Sequence, residues 1–320
     1  MRYTNQFLHI NGTTIKPGSS AQLNLNLYQL PTKTVIEIPV YVFRSVNPGP
    51  TILLSAGMHG DEINGIEIVR RLIARKDVRK LLCGSIVAIP VINIISFLYG
   101  SRELPDGRDL NRCFPGSKTG SLGSRIAHDV MKEIVSQIDF GVDFHTGSAQ
   151  ISNVPQLRCV FSQEQNLEIA NQFMPPFILN SPFRENTLRK EAAKKGKTIL
   201  VFEGGESSRF DYASIEEGIN GCLRLMHACK MIDTTISPNK TIRLDGATWV
   251  RAKASGLFHT IKSNGSPVEK GEQIGTISDP YGEMEEKIIS PQSGYIIGVN
   301  SKPVVNEGDA LMHIGLVVKK

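Results

Sequence analysis

The chain has 320 residues, of which 40% are hydrophobic and 21% are charged, and its formal net charge is +5. This composition is typical of a globular protein with a sizeable core, and the scattered basic residues argue against a nucleic-acid-binding surface. Five cysteines without a CxxC pair argue against a disulfide framework or a cysteine zinc site, and no apolar run reaches the roughly 18 residues of a membrane span. We therefore expect a cytoplasmic protein with no nucleic-acid or membrane partner.

The first 240 residues read as one α/β unit. Residues 1–50 alternate polar and apolar side chains in short runs, which predicts N-terminal β strands that lead into a main sheet. From residue 51 onward, strand-like runs alternate with amphipathic helical segments, such as 63–75 and 122–138. This alternation predicts a largely parallel sheet covered by helices on both faces, so residues 1–240 are expected to form one domain.

The last part of the chain has a different character. A linker-like segment near 234–245 precedes residues 246–320, where short β runs are separated by glycines, which predicts a small all-β domain. The repeated pattern resembles a biotinyl/lipoyl-type β-sandwich. The hairpin at 278–285 (SDPYGEME) has no lysine to carry a cofactor, so we expect a structural version that is not modified.

Two strand ends carry side chains that suit a metal. Residues 57–62 (GMHGDE) lie between a predicted strand and a predicted helix, and His145 directly follows another apolar strand. In a sheet of this kind His59, Glu62 and His145 can reach the same crevice, where open α/β folds bind ligands. Zinc hydrolases commonly use two histidines, a glutamate and a water. The alternative interpretation is that His59 is a surface histidine beside a helix-capping glutamate. The presence of His145 at a second strand end argues against it.

Other polar residues are candidates for roles around such a metal. Asp109 or Asp143 can fix the tautomer of a ligand histidine. Glu203 ends a third strand, where a carboxylate can take a proton from metal-bound water, and Glu206 competes for this role. The loop 101–115 (SRELPDGRDLNRCFP) contains three arginines and an asparagine, and arginine binds carboxylates or stabilises an oxyanion.

The motifs GMHGDE, PDGRDLNRCFPG, DFHTG and FEGGE, in this order, resemble the succinylglutamate desuccinylase and aspartoacylase family of zinc amidohydrolases. The resemblance covers residues 35–235 and implies a zinc-carboxypeptidase-like, mixed sheet flanked by helices. It also implies one Zn²⁺ ion per chain. The implied zinc ligands are His59, Glu62 and His145.

The same resemblance implies roles for the remaining candidates. Glu203 would be the general acid/base, although the second glutamate of FEGGE, Glu206, leaves the assignment open. Asn111 and Arg112 would hold a substrate carboxylate. Arg102 would polarise the scissile carbonyl, with Arg108 as the alternative because the spacing in this loop varies.

The resulting hypothesis is zinc-dependent hydrolysis of the amide bond of a small N-acyl amino acid or a related carboxylate-bearing amide. The nearest alternative is a zinc carboxypeptidase that acts on peptides, because the same ligands serve both reactions. A different class, a non-catalytic carboxylate-binding module with a lipoyl-like tail, is disfavoured because the predicted ligands and base are all present. The sequence leaves open the acyl group, the amine and whether the chain forms a homo-oligomer.

Overall fold

A computed structural model describes residues 7–29, 32–148 and 150–317, so the ends of the two predicted domains, 1–6 and 318–320, lie outside the described residues. The strands before the C-terminal part are β1 (Leu8–Ile10), β2 (Thr13–Ile15), β3 (Ser20–Gln29), β4 (Val35–Arg44), β5 (Thr51–Ala56), β6 (Ser85–Ile89), β7 (Phe140–Gly147), β8 (Ile151–Cys159), β9 (Phe177–Asn180) and β10 (Thr198–Glu206). The strands that follow are β11 (Ile242–Arg251), β12 (Gly256–Thr260), β13 (Pro267–Val268), β14 (Gln273–Ser278), β15 (Glu285–Ile289), β16 (Gly294–Asn300), β17 (Val304–Val305) and β18 (Ala310–Val317).

The helices all lie between the fifth strand and the eleventh in the part of the chain that the structure describes. They are α1 (Ile63–Ala74), α2 (Lys76–Arg79), α3 (Ile94–Tyr99), α4 (Leu122–Asp129), α5 (Glu164–Phe173), α6 (Leu188–Lys194) and α7 (Tyr212–Ala228). Short 3-10 turns occupy Leu110–Arg112 and Val135–Gln137, and a π-helical turn occupies Val130–Ile134. None of these helices is long and apolar enough to cross a membrane.

A twelve-stranded mixed sheet runs through the molecule in the order β13-β16-β18-β11-β9-β8-β10-β7-β5-β6-β4-β3. Its centre is parallel, because β5 pairs in parallel with β6 and β7, and β7 pairs in parallel with β10. The flanks are mostly antiparallel, including β3 with β4, β4 with β6 and β8 with β10. The expectation of a largely parallel sheet therefore holds in part. The centre and the pairs β8–β9 and β9–β11 are parallel, whereas the other pairs of the large sheet, such as β3 with β4, which a short turn joins, are antiparallel.

Both faces of the sheet centre are buried, as the continuous apolar runs predict. Helices α1, α5 and α7 cover one face, and α4, α6 and the N-terminal strands cover the other. Helix α1 lies very close to β7, because a Cβ at Gly65 would come within 2.7 Å of the carbonyl oxygen of Phe144. This close approach brings the start of α1 next to the carboxyl end of β7.

The C-terminal strands are divided between two sheets. Strands β15, β14, β12 and β17 form a separate four-stranded sheet, whereas β11, β13, β16 and β18 extend the large one. Between Ile242 and Val317 the structure shows strands and no helix, and these strands enclose a core of their own. Because β11 pairs with β9 and β16 pairs with β8, the C-terminal strands are continuous with the central sheet. The division at residues 240 and 246 and the likeness to a biotinyl/lipoyl domain stay predictions.

Candidate active site

Three buried side chains meet where the parallel strands end. His59 follows β5, Glu62 directly precedes α1, and His145 lies near the end of β7. The Nδ1 atom of His59 is 2.7 Å from Oε1 of Glu62, and Nδ1 of His145 is 2.8 Å from Oε2. One ligand atom from each of the three residues lies within 4.8 Å of the others, so the group could hold a metal ion.

Each histidine is held from its outer side by a carboxylate. Nε2 of His59 lies 3.0 Å from Asp109, and Nε2 of His145 lies 2.7 Å from Asp143. Asp143 also accepts a hydrogen bond of 2.7 Å from the hydroxyl of Ser55. Because the outer nitrogens are engaged, both Nδ1 atoms are turned toward the Glu62 carboxylate. This arrangement of two imidazoles and a carboxylate, each imidazole backed by an aspartate, is the donor set that zinc prefers in hydrolases.

The electrostatics of the cluster favour charged side chains in spite of burial. Burial works to raise the pKa of Glu62, but His59 and His145 outweigh it and hold that pKa well below its usual value. Burial works to lower the pKa of His145, but Asp143 and Glu62 raise it well above its usual value. Burial also works to lower the pKa of His59, but Glu62 and Asp109 outweigh it, so this pKa is raised above its usual value. Charges buried this deeply persist only when they are paired and hydrogen-bonded.

Arg102 completes the cluster and Arg108 lies outside it. Arg102 donates to Glu62 at 2.9 Å and to Asp109 at 3.0 Å, and its side chain is 32% exposed. Arg108 is 61% exposed and pairs with Asp106 at 3.6 Å. Of the two arginines that the sequence left open, the structure therefore brings Arg102 to the site.

Glu203 faces the same cavity, whereas Glu206 does not line it. Glu203 is 9% exposed, and its carboxylate accepts a hydrogen bond from Asn153 and forms an ion pair with Arg158, each at 3.1 Å. Glu206 pairs with Arg209 at 3.0 Å. The register places Glu203 directly beside His145 on the neighbouring strand, so the glutamate and the histidine cluster open onto one space.

Asn111 and Arg112 also line the cavity, next to the cluster. Asn111 accepts a hydrogen bond of 3.0 Å from the backbone of Leu188, which ties this loop to the start of α6. Arg112 is 43% exposed, donates to the carbonyl oxygen of Asn111 at 2.7 Å and lies 3.9 Å from Asp109. Its guanidinium is thus held at the rim rather than buried.

The cavity has a volume of about 280 Å³. Beyond the residues that the sequence singled out, it is lined by Arg158, Arg184, Arg189 and Trp249. Arg189 is 8% exposed, and burial, together with Arg158 and Arg184, lowers its pKa to about 10. No local pattern singles out these four residues, because Arg158 on β8, Trp249 on β11 and the two arginines that follow β9 come together only in the folded chain.

Trp249 is supplied by the C-terminal strands. Its indole stacks on the imidazole of His313 with a centroid distance of 4.2 Å and an interplanar angle of 7°. Burial and the nearby Arg158 and Arg184 lower the pKa of His313 to about 3, so this imidazole is neutral near pH 7. The strands β11 and β18 therefore provide one aromatic wall of the cavity.

The chain belongs to the succinylglutamate desuccinylase/aspartoacylase family, because the family model of the Succinylglutamate desuccinylase/Aspartoacylase catalytic domain matches residues 48–229. Among individual proteins, it is similar to the N-alpha-acetyl-L-2,4-diaminobutyric acid deacetylase of Halomonas elongata. The two are 28% identical over 303 residues, which cover 89% of this chain and 87% of the relative.

Solved structures share the fold. The product-bound Ectoine utilization protein EutE (DoeB) from Ruegeria pomeroyi superimposes with a TM-score of 0.82 at 22% identity, over 93% of this chain and 95% of that chain. A succinylglutamatedesuccinylase/aspartoacylase from Rhodobacter sphaeroides gives a TM-score of 0.82 at 24% identity, over 94% of this chain and 96% of that chain. The likeness extends through the C-terminal strands, since nearly the whole of each chain is covered.

Proposed function

We propose that this protein is a zinc-dependent amidohydrolase that cleaves the amide bond of a small N-acyl amino acid and releases a carboxylic acid and an amine. The observation that carries the proposal is the convergence of His59, Glu62 and His145 in one cavity with Glu203 and Arg102. Membership of the family and the curated deacetylase relative support the same class of reaction.

Zinc would be held by His59, Glu62 and His145, whose donor atoms already face one another. When bound at such a site, zinc supplies Lewis-acid chemistry, which makes water acidic near neutral pH and polarises a carbonyl group. Asp109 and Asp143 keep the outer nitrogens of the two histidines engaged, so Nδ1 of each imidazole stays turned inward.

The proton transfers are assigned to Glu203. Its carboxylate faces the cavity beside the histidine cluster, so it can take a proton from the attacking water and return it to the departing nitrogen. The guanidinium of Arg102, fixed by Glu62 and Asp109, adds positive charge where the carbonyl oxygen becomes negative.

Substrate binding follows from the size and charge of the cavity. Asn111 and Arg112 offer an amide and a guanidinium to a carboxylate at the rim. A volume of about 280 Å³ fits a short acylated amino acid better than a polypeptide, which favours a deacylase over the alternative of a carboxypeptidase. The name of the curated relative makes N-acetyl amino acids, N-acetyldiaminobutyrate among them, the first compounds to assay.

The proposal also covers where the enzyme acts and how its domains are divided. The five cysteines are all free thiols, which supports a location in the reducing cytoplasm. We assign residues 1–240 to the catalytic domain and residues 246–320 to a β-sandwich that contributes Trp249 to the cavity wall.

The test combines metal analysis with a hydrolysis screen. Elemental analysis of the purified protein should find about one zinc per chain, and the zinc-loaded protein should hydrolyse some of a set of N-acetyl, N-succinyl and N-formyl amino acids. Short peptides in the same screen distinguish a carboxypeptidase. Absence of bound zinc together with inactivity after zinc is added would overturn the proposal in favour of a carboxylate-binding module.

A further inference from the structure

Both oxygens of the Glu203 carboxylate are held by donors from a single strand. Asn153 donates a hydrogen bond to Oε2 and Arg158 forms an ion pair with Oε1, each over 3.1 Å, and both residues lie on β8. Strand β8 runs antiparallel to β10, which carries Glu203. Since Asn153 is 5% exposed and Glu203 is 9% exposed, water has little access to the hydrogen bond between them. The direction in which the carboxylate points is thus set by β8.

The amide of Asn153 is in turn confined from its other side by β16. Gly298 of β16 is paired with Asn153 of β8, and a Cβ at Gly298 would lie 2.8 Å from the Oδ1 atom of Asn153. The backbone of Gly298 is not in the left-handed region that favours glycine, so the reason for glycine here is space. Any side chain at this position would push the Asn153 amide away from its place.

Strand β16 is firmly attached to β8 around this contact. The side chain of Gln156 donates to the carbonyl oxygen of Ile297 at 3.1 Å, and the backbone of Ser301 donates to that of Gln150 at 2.8 Å. The side chain of Asn264, from the loop before β13, donates to the carbonyl oxygen of Ser152 at 2.7 Å. The C-terminal strands therefore cannot move independently of the strand that holds Glu203.

We propose that Gly298 and Asn153 are positioning residues, through which the C-terminal strand β16 orients the Glu203 carboxylate toward the cavity. The inference rests on the proposed role of Glu203 as the acid/base. It makes the C-terminal strands part of the catalytic apparatus without a catalytic residue of their own. A displacement of about 1 Å at a reacting group can cost roughly 100-fold in rate, so a small rotation of Asn153 is enough to matter.

The experiment compares Asn153→Ala, Gly298→Ala and the double variant as full-length, zinc-loaded proteins. Because the clash at Gly298 involves the end of the Asn153 side chain, turning that side chain relieves it and the variant folds. We expect each single change to lower kcat by about 10- to 100-fold while KM and zinc content stay within about twofold. Since both act through one hydrogen bond, the double variant should be no slower than Asn153→Ala.

Gly294→Ala is the matched control. Gly294 lies on the same strand, and a Cβ there would come within 2.2 Å of the carbonyl oxygen of Gly315, on the side of β18. It is therefore expected to lower the melting temperature without changing kcat. An unchanged kcat in Gly298→Ala, or effects that multiply in the double variant, would overturn the proposal.

Two further measurements keep the outcome decisive. If Gly298→Ala does not fold, Asn153→Asp preserves the shape of the side chain but removes the donor, and a normal kcat in that variant would refute the role of Asn153. A crystal structure of Gly298→Ala should show the Asn153–Glu203 hydrogen bond lost, whether or not a substrate is known. A wild-type protein that hydrolyses no acyl amino acid would instead refute the proposed function.

Discussion

Glu62 is the residue around which the candidate site is arranged. Its Oε1 atom receives His59 at 2.7 Å and Arg102 at 2.9 Å, while Oε2 receives His145 at 2.8 Å and the backbone of Thr146 at 3.3 Å. Four donors on a carboxylate that is 2% exposed fix both its charge and its direction. The histidines consequently present Nδ1 to a common point, and the acid/base candidate has to lie elsewhere.

The division of labour between Glu203 and the histidines can be tested by substitution. We expect Glu203→Gln to reduce kcat by at least about 100-fold, because proton transfer by a positioned group contributes about 10²- to 10⁴-fold, while zinc stays bound. His145→Ala should lose the zinc itself. The measurements are steady-state kinetics and metal content of each purified variant.

Glu206→Gln is the control for these substitutions, because Glu206 ends the same strand but pairs with Arg209 rather than lining the cavity. It should keep nearly normal activity. A variant set in which Glu206→Gln is inactive and Glu203→Gln is active would reverse the assignment.

At the level of elements, the local part of the site could be predicted and the non-local part could not. The apolar run of β5, the turn containing His59 and the helical spacing of α1 follow one another in the chain, so periodicity locates them. His145 was found by the same rule, at the end of β7. In contrast, Asn153 and Arg158 meet Glu203 only because β8 is inserted between β10 and β9, and no local pattern records that order.

The C-terminal strands illustrate the same limit. Their glycine-punctuated β runs were recognisable, but not their pairing with β8 and β9, which carries Trp249 into the cavity. The sequence-based expectation of a largely parallel sheet holds only in part, because antiparallel pairs such as β8 with β10 and β16 with β8 join strands whose pairing direction no local pattern in the sequence records. The contact between the C-terminal strands and the central sheet could therefore not be predicted from the sequence.

Trp249 should limit the size of the substrate. The indole is 37% exposed, lines the cavity and is backed by His313. We expect Trp249→Ala to relax selectivity against longer acyl chains by about 10-fold or more, because one methylene in a pocket is worth about 1–3 kcal/mol. The measurement is the ratio of kcat/KM for N-acetyl and N-butyryl forms of one amino acid.

Tyr281→Ala serves as the control for this change, since Tyr281 lies in the same C-terminal part but is 86% exposed and does not line the cavity. Its acyl selectivity should match that of the wild type. Unchanged selectivity in Trp249→Ala would show that the indole wall does not contact the acyl group.

For the whole molecule, the continuous sheet predicts that the C-terminal strands unfold together with the part of the chain before β11. A small core joins Phe177 and Leu179 of β9 to Leu244 and Ile297 of the C-terminal strands. Strands β11 and β16 are also hydrogen-bonded to β9 and β8. Two optical signals report the two parts of the chain separately. The chain has one tryptophan, Trp249, which lies in the C-terminal strands, and the described helices all lie between Ile63 and Ala228. Tryptophan fluorescence therefore reports the C-terminal strands, and circular dichroism at 222 nm is weighted toward the helical part.

In a urea titration the two signals should give coincident transitions with one midpoint, as expected of a cooperative unit. Loss of the C-terminal strands would expose the backbone of β8 that pairs with β16 and the apolar residues that Leu244 and Ile297 cover. An intermediate in which only the part of the chain before β11 is folded would therefore have a high free energy. An earlier fluorescence transition, with the helical signal intact, would contradict this. It would show that the part of the chain before β11 keeps its fold without β16, although the positioning of Glu203 requires that strand.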